Sequence, residues 1–196
     1  MYPIFRFVTE LVRHRNAPPL GLLEEHRAEH ICWPWDIDPW MELNNGRILT
    51  LYDLGRVVLF QRIGVVRAMR ENRWVGTNAG ASVRYRRRLR AFQRYEMRSR
   101  IIGWDARFIY AEQGMWRKGT CASHALIRMA AASENGIVPT AELAAALGVD
   151  PQSPPLPAWV AAWIAADAER PWPPMEDLPA AWTGQDASIE AEQKAG

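Results

Sequence analysis

The chain has 196 residues, 48% of them hydrophobic and 23% charged, with a net charge of +2. That length suits one domain with appendages and a core that folds without staples, and near-neutrality argues against general polyanion binding. Two cysteines, Cys32 and Cys121, are too few for a disulfide framework and lack metal-ligand spacing, so a reducing, cytoplasmic setting is expected.

The first segment, MYPIFRFVTELVRHRN, interleaves aromatic and aliphatic residues with Arg6, Arg13 and Arg15 and has no signal-peptide h-region. It reads as a helix packed on its own domain or on a partner, or as a basic amphipathic helix in peripheral membrane contact. NAPPLGLL is a Pro/Gly connector. EHRAEHICWPW alternates in polarity as a strand does, and Pro34 places it at a sheet edge or strand end. From Arg47 to Arg70 the pattern predicts one helix, apolar on most of its circumference and about 35 Å long, which must be covered on several sides. Gly55 and Gly64 within it allow close backbone approach or a kink.

Turn-rich WVGTNAGA leads into ASVRYRRRLRAF, whose alternation puts Val83, Tyr85, Arg87 and Leu89 on one face and Arg84, Arg86, Arg88 and Arg90 on the other. Arg87, on the apolar side, requires a partner such as Asp53 or Glu96. RYEMRSRIIGW, RFIYAEQGMW and TCASHALIRMAA are joined by short turns and predict an antiparallel meander, with no βαβ rhythm. TAELAAALG is a short helix ending at Gly148. A proline-rich linker, DPQSPPLP, separates it from a helix over AWVAAWIAADAER. The expected organisation is an N-terminal helix and linker (1–24), the main domain (25–137), a helical extension (138–170) and a flexible tail (171–196). One strand, a long buried helix and a meander make an α+β layout, a curved sheet wrapped around the helix.

The start of the long helix, DIDPWMELNNGR (Asp36 to Arg47), crowds three carboxylates and two amides before an apolar run. It is similar to the pattern D-x-D-x-x-x-H-x-N-N-x-R of the hotdog-fold acyl-CoA and acyl-carrier-protein thioesterases. With YDLGR (Tyr52 to Arg56), the Arg84 to Glu112 stretch and PPLPAWVAAWIA, the chain most resembles the thioesterase superfamily member 6-like group, over about residues 28–170.

The resemblance implies a hotdog fold, hydrolysis of an acyl-CoA or acyl-carrier-protein thioester, and a homodimer or higher oligomer. No metal or redox cofactor is implied. It gives Asp38 the role of nucleophile or base for water, and a carboxylate near a helix N-terminus is held ionised by the dipole; the same residue also suits a turn. Glu42 stands where the family pattern has histidine. It serves as a replacement base, takes a salt-bridge or capping role, or marks a site that binds acyl-CoA without turnover. Asn44, Asn45, Gly46 and Arg47 form the helix start, where capping and polarisation of a thioester oxygen coincide. Asp36 projects beside Asp38 in an extended segment and is expected to find an arginine. Arg84, Arg86 and Arg88 are candidates for coenzyme A phosphates. Nucleic acid is set aside, because no aromatic interleaving of the kind used for base stacking is evident. Asp53 and Arg56 pair across one helical turn. Cys121 and His124, three apart on one strand, face opposite ways and form no dyad.

Overall fold

A computed structural model describes residues 2–171, 173 and 174 of the chain; the rest of the predicted tail lies outside the described residues. Two compact units divide after Leu156, within the proline-rich run. The second holds the last helix, and every other element belongs to the first.

The first unit runs α1 (Ile4–Arg13), β1 (His26–Ile31), α2 (Asn45–Arg62), α3 (Val65–Glu71), β2 (Val75–Tyr85), β3 (Arg94–Trp104), β4 (Ile109–Arg117), β5 (Thr120–Ser133), β6 (Gly136–Ile137) and α4 (Thr140–Leu147). The sheet is antiparallel in the order β1-β3-β4-β5-β2, with β6 paired to β5. The meander β3-β4-β5 stands as the alternation predicts, and β1 is an edge strand that ends before Pro34. At the other edge β2 pairs only with β5 among the described residues. In the second unit, α5 (Ala158–Ala168) follows Pro157, whose fixed φ suits the position before a helix.

The core lies between α2 and one face of the sheet. Leu51, Tyr52, Leu54 and Leu59 of α2 cluster with Met97 and Ile101 of β3, Ala111 and Met115 of β4, and Ala125 and Ile127 of β5. A polar network crosses this interface. Buried Arg56 donates to Gln113 Oε1 at 2.8 Å and pairs with Asp53, as their spacing predicts. Gln113 Nε2 donates to the Tyr52 carbonyl at 2.9 Å and to Ser99 Oγ at 2.8 Å, and the Tyr52 and Ser123 hydroxyls meet at 2.8 Å. Buried polar groups survive only when bonded in this way.

Three expectations are corrected. The long helix does not run to Arg70: Gly64 takes φ +84, ends α2 and starts α3. The segment WVGTNAGA is strand rather than turn, because pairing of β2 with β5 runs from Val75 and absorbs its small residues through an irregularity between Asn78 and Gly80. The strand stops at Tyr85, since the N–H groups of Arg86 and Arg87 both donate to the Ala122 carbonyl (2.8 and 3.0 Å) and the ladder closes there. Residues 86–90 are therefore a loop without alternating faces. Arg87 is exposed, while Asp53 and Glu96 pair with Arg56 and Arg98.

Helix α1 docks through Phe7, which packs against the core, and through polar residues beside it. Arg6 bonds Asp36, and buried Glu10 lies near His14 and His30. Its apolar side faces out: Phe5 is 91% exposed, and Ile4, Val8 and Val12 are all more than half exposed. Among the described residues no helix is long and apolar enough to cross a membrane.

Candidate functional site

The segment from Asp36 to Asn44 forms a tight reversal in front of α2. Asp38 N–H donates to the Glu42 carbonyl at 2.8 Å, Ile37 bridges Leu43, and the Asn44 N–H donates to the Asp36 carbonyl at 3.0 Å. Met41 takes φ 61 to close the turn. A short 3-10 turn (Pro34–Asp36) precedes it, and Ile37, between the two acids, is extended. Asp36 points inward and is fully buried, with Arg6 at 2.6 Å on one oxygen and Arg47 at 2.8 Å on the other. That joins α1, the reversal and α2 through one carboxylate.

Asp38 points into its own turn. Its Oδ1 accepts from the N–H groups of Trp40 (3.0 Å) and Glu42 (3.4 Å), which leaves Oδ2 without a partner among the described residues. Glu42 is half-buried and lies 2.7 Å from Arg88 Nε. Asn44 caps α2, its side chain accepting from the Arg47 N–H at 3.0 Å. The N–H groups of Asn45 and Gly46 have no acceptor among the described residues and point out of the helix start, where the dipole is positive.

Two depressions flank this helix start. On one side a cleft of about 210 Å³ gathers Glu42, Asn45, Tyr85, Arg86, Arg87 and Arg88 around a floor of Ile48, Leu89 and Ser123. Its walls are tied by the Leu43 N–H to the Leu89 carbonyl at 2.7 Å and by the Tyr85 hydroxyl to the Asn45 carbonyl at 3.3 Å. On the other side an open groove is lined by Asn44, Gly46 and Arg47 together with Ile4, Phe5 and Trp35. Of the predicted residues, Glu42, Asn45, Arg86 and Arg88 meet in the basic cleft; Asn44, Gly46 and Arg47 line the apolar groove. Asp38 and Arg84 line neither, and Arg84 sits on β2, exposed, paired in register with His124.

Sequence reasoning misses Tyr85 and Arg87 as cleft residues. Alternation assigns both to strand faces, and the loop that turns them toward α2 leaves no signal in it. Outside the cleft, His124 Nε2 meets Glu112 Oε1 at 2.9 Å, while the Cys121 thiol donates to a carbonyl, so the two form no dyad. Burial pushes the Cys121 thiol up, away from the reactive thiolate. Among the described residues no three His, Cys, Asp or Glu side chains converge on a metal-sized site.

The sequence model of the thioesterase-like superfamily matches residues 32–164. Protein THEM6 from Xenopus laevis is 38% identical over 92 residues, 47% of this chain and 44% of that protein; its Drosophila melanogaster counterpart is 32% identical over 84 residues, 42% and 44%. The chain thus matches less than half the length of these curated relatives. Among solved structures, the probable thioesterase YbaW from Escherichia coli has a TM-score of 0.58 at 15% identity, covering 62% of this chain and 95% of that one. A thioesterase complexed with coenzyme A and Zn from Thermus thermophilus has a TM-score of 0.51 at 21% identity, covering 58% and 88%. At these identities the likeness is one of fold, and the fold is the hotdog.

Proposed function

Because the chain belongs to the thioesterase-like superfamily, we propose that it hydrolyses an acyl thioester, with acyl-CoA as the substrate class. The supporting observation is the free Oδ2 of Asp38 in the turn before a helix start with two unsatisfied N–H groups. The thioester oxygen is polarised by the Asn45 and Gly46 N–H groups and gains charge there as water adds to the carbonyl. Asp38 takes the proton of that water, or attacks first and is then released by water. The thiol leaves as coenzyme A. Arg86 and Arg88 hold its phosphates in the basic cleft, and the apolar groove lies on the acyl side of the helix start. Glu42 is engaged by Arg88, which makes Asp38 the better base.

The test is thiol release from a panel of acyl-CoAs by the wild type and Asp38→Asn. Release that is lost in the folded variant supports the reading. No release at concentrations where acyl-CoA binds selects a non-catalytic acyl-CoA binding or scaffold protein. A homodimer belongs to the same proposal: the 11 residues of β2 offer a second copy an unpaired edge, and sedimentation at micromolar concentration reads the mass. The proposed compartment is the cytoplasm.

One observation favours a second reading, peripheral membrane contact. The outward face of α1 carries Ile4, Phe5, Val8 and Val12, and the exposed charges of this segment, Arg13 and Arg15, are basic. Anionic vesicles that bind the wild type but not Phe5→Asp support it.

A further inference from the structure

A cavity of about 240 Å³ lies apart from the α2 start. Its apolar walls come from four helices and the sheet, with Phe7 of α1, Phe60 of α2, Val65 and Met69 of α3, Met129 of β5 and Leu143 of α4 among them. The sheet supplies little bulk at this place. Gly76, Ala130 and Ala131 form the floor, where β2 pairs with β5. Packed interiors leave few voids larger than one water molecule, whereas ligand sites are concave, mostly apolar and carry a few convergent polar groups.

The polar groups here sit toward solvent. Asp53 is 30% exposed at its side chain, and Thr77 and Asn78 are exposed. Arg56, buried behind Asp53, neutralises it, so the rim carries no net charge. A carboxylate head would meet the like charge of Asp53, the outer member of this pair; a hydroxyl or amide would not. Tyr2 already makes such a contact. Its hydroxyl donates to Asp53 Oδ2 across a long 3.3 Å, and its exposed ring leans on Phe7 at a centroid distance of 5.9 Å.

We infer that this cavity is a separate ligand site, taking one apolar chain that ends in a hydroxyl or amide hydrogen-bonded to Asp53, with Tyr2 displaced from the rim. The site shares no residue with the basic cleft or with Asp38, so it stands whether or not the chain hydrolyses thioesters.

The test is calorimetric titration of the full chain with 1-decanol, decanamide and decanoate. Decanol and decanamide are expected to bind one to one, with decanoate at least tenfold weaker. Tyr2→Ala is expected to tighten decanol several-fold. Ala130→Leu fills the floor and is expected to weaken it at least tenfold; Met69→Trp, at a half-buried position on α3, does the same if Ala130→Leu fails to fold. No saturable binding overturns the inference, as does unchanged binding in a folded filled variant. Equal affinity for decanoate overturns the assignment of a neutral head.

Discussion

Gly55 of α2 rests against Met97 of β3: a Cβ added to the glycine would lie 2.6 Å from the methionine sulfur and 2.7 Å from Ser99 Oγ. Glycine in a helix interior costs about 1 kcal/mol relative to alanine, so the helix gives up propensity for this approach. Gly55→Ala is expected to push α2 off β3, strain the Gln113–Ser99 hydrogen bond and lower stability by about 1–3 kcal/mol in chemical denaturation. A stabilised variant would show that Met97 yields and that closeness is not why glycine is there.

Asp36→Asn leaves Arg6 and Arg47 without their shared carboxylate. A loss of about 3 kcal/mol is expected in urea denaturation. Limited proteolysis should also speed up in the connector after α1, since Arg6 is one of its few polar anchors. An unchanged cleavage rate would mean that Glu10 and its histidines hold α1 by themselves.

Acid should destabilise the fold through the histidines behind α1. Burial, with Arg6 and Arg13 nearby, holds His30 down to about 3, and burial, with His14 and Arg62 nearby, holds His26 down to about 4. Both stay neutral when folded but take a proton at the ordinary 6.5 when unfolded. Their contribution is complete above pH 6.5 and is lost as pH falls from there, by up to about 1.4 kcal/mol per pH unit for each ring. Urea midpoints between about pH 8 and 5 read the slope, and His30→Phe should remove part of it. Parallel curves for the two proteins would exclude His30 as a cause.

Glu112 has the opposite dependence. The hydrogen bond from His124, with Arg100 beside it, holds its carboxyl down to about 2 in spite of burial. This support is complete above the unfolded value of 4.5 and is lost as pH falls toward 2. Glu112→Gln is expected to cost about 1–2 kcal/mol at pH 7, discounted for the half-exposed arginine, with the gap to wild type closing below pH 4.5. A gap that persists at about pH 3 would point to packing rather than charge.

Within the proposed reaction, Arg86→Ala and Arg88→Ala should each raise KM for acyl-CoA about three- to tenfold with kcat within about twofold, because exposed phosphate contacts bind ground and transition states alike. Steady-state kinetics at two salt concentrations check this. A fall in kcat alone would give these arginines a role at the reacting carbonyl.

The meander is legible in the sequence because alternation and turns are local signals. So are Asn44 as a cap and the Asp53–Arg56 pair, whose spacing on one helix suffices. The site is legible only in its parts. The burial of Asp36 depends on two arginines from different helices, and the loop that brings Arg86 and Arg88 to Glu42 depends on one carbonyl, that of Ala122, ending the β2 ladder. Gly64 is visible as a breaker, but whether it bends or stops a helix is decided by what covers the next turn.

That stop at Gly64 divides labour along the chain. Residues before it, in α2, pack in fixed register with the sheet. Those after it, Val65 and Met69, are free to take another direction and wall the second cavity. Length and shape of that cavity can therefore drift by substitution in the 7 residues of α3 without disturbing the turn at Asp38, so that one scaffold can change what it holds at one end while leaving the other end as it is.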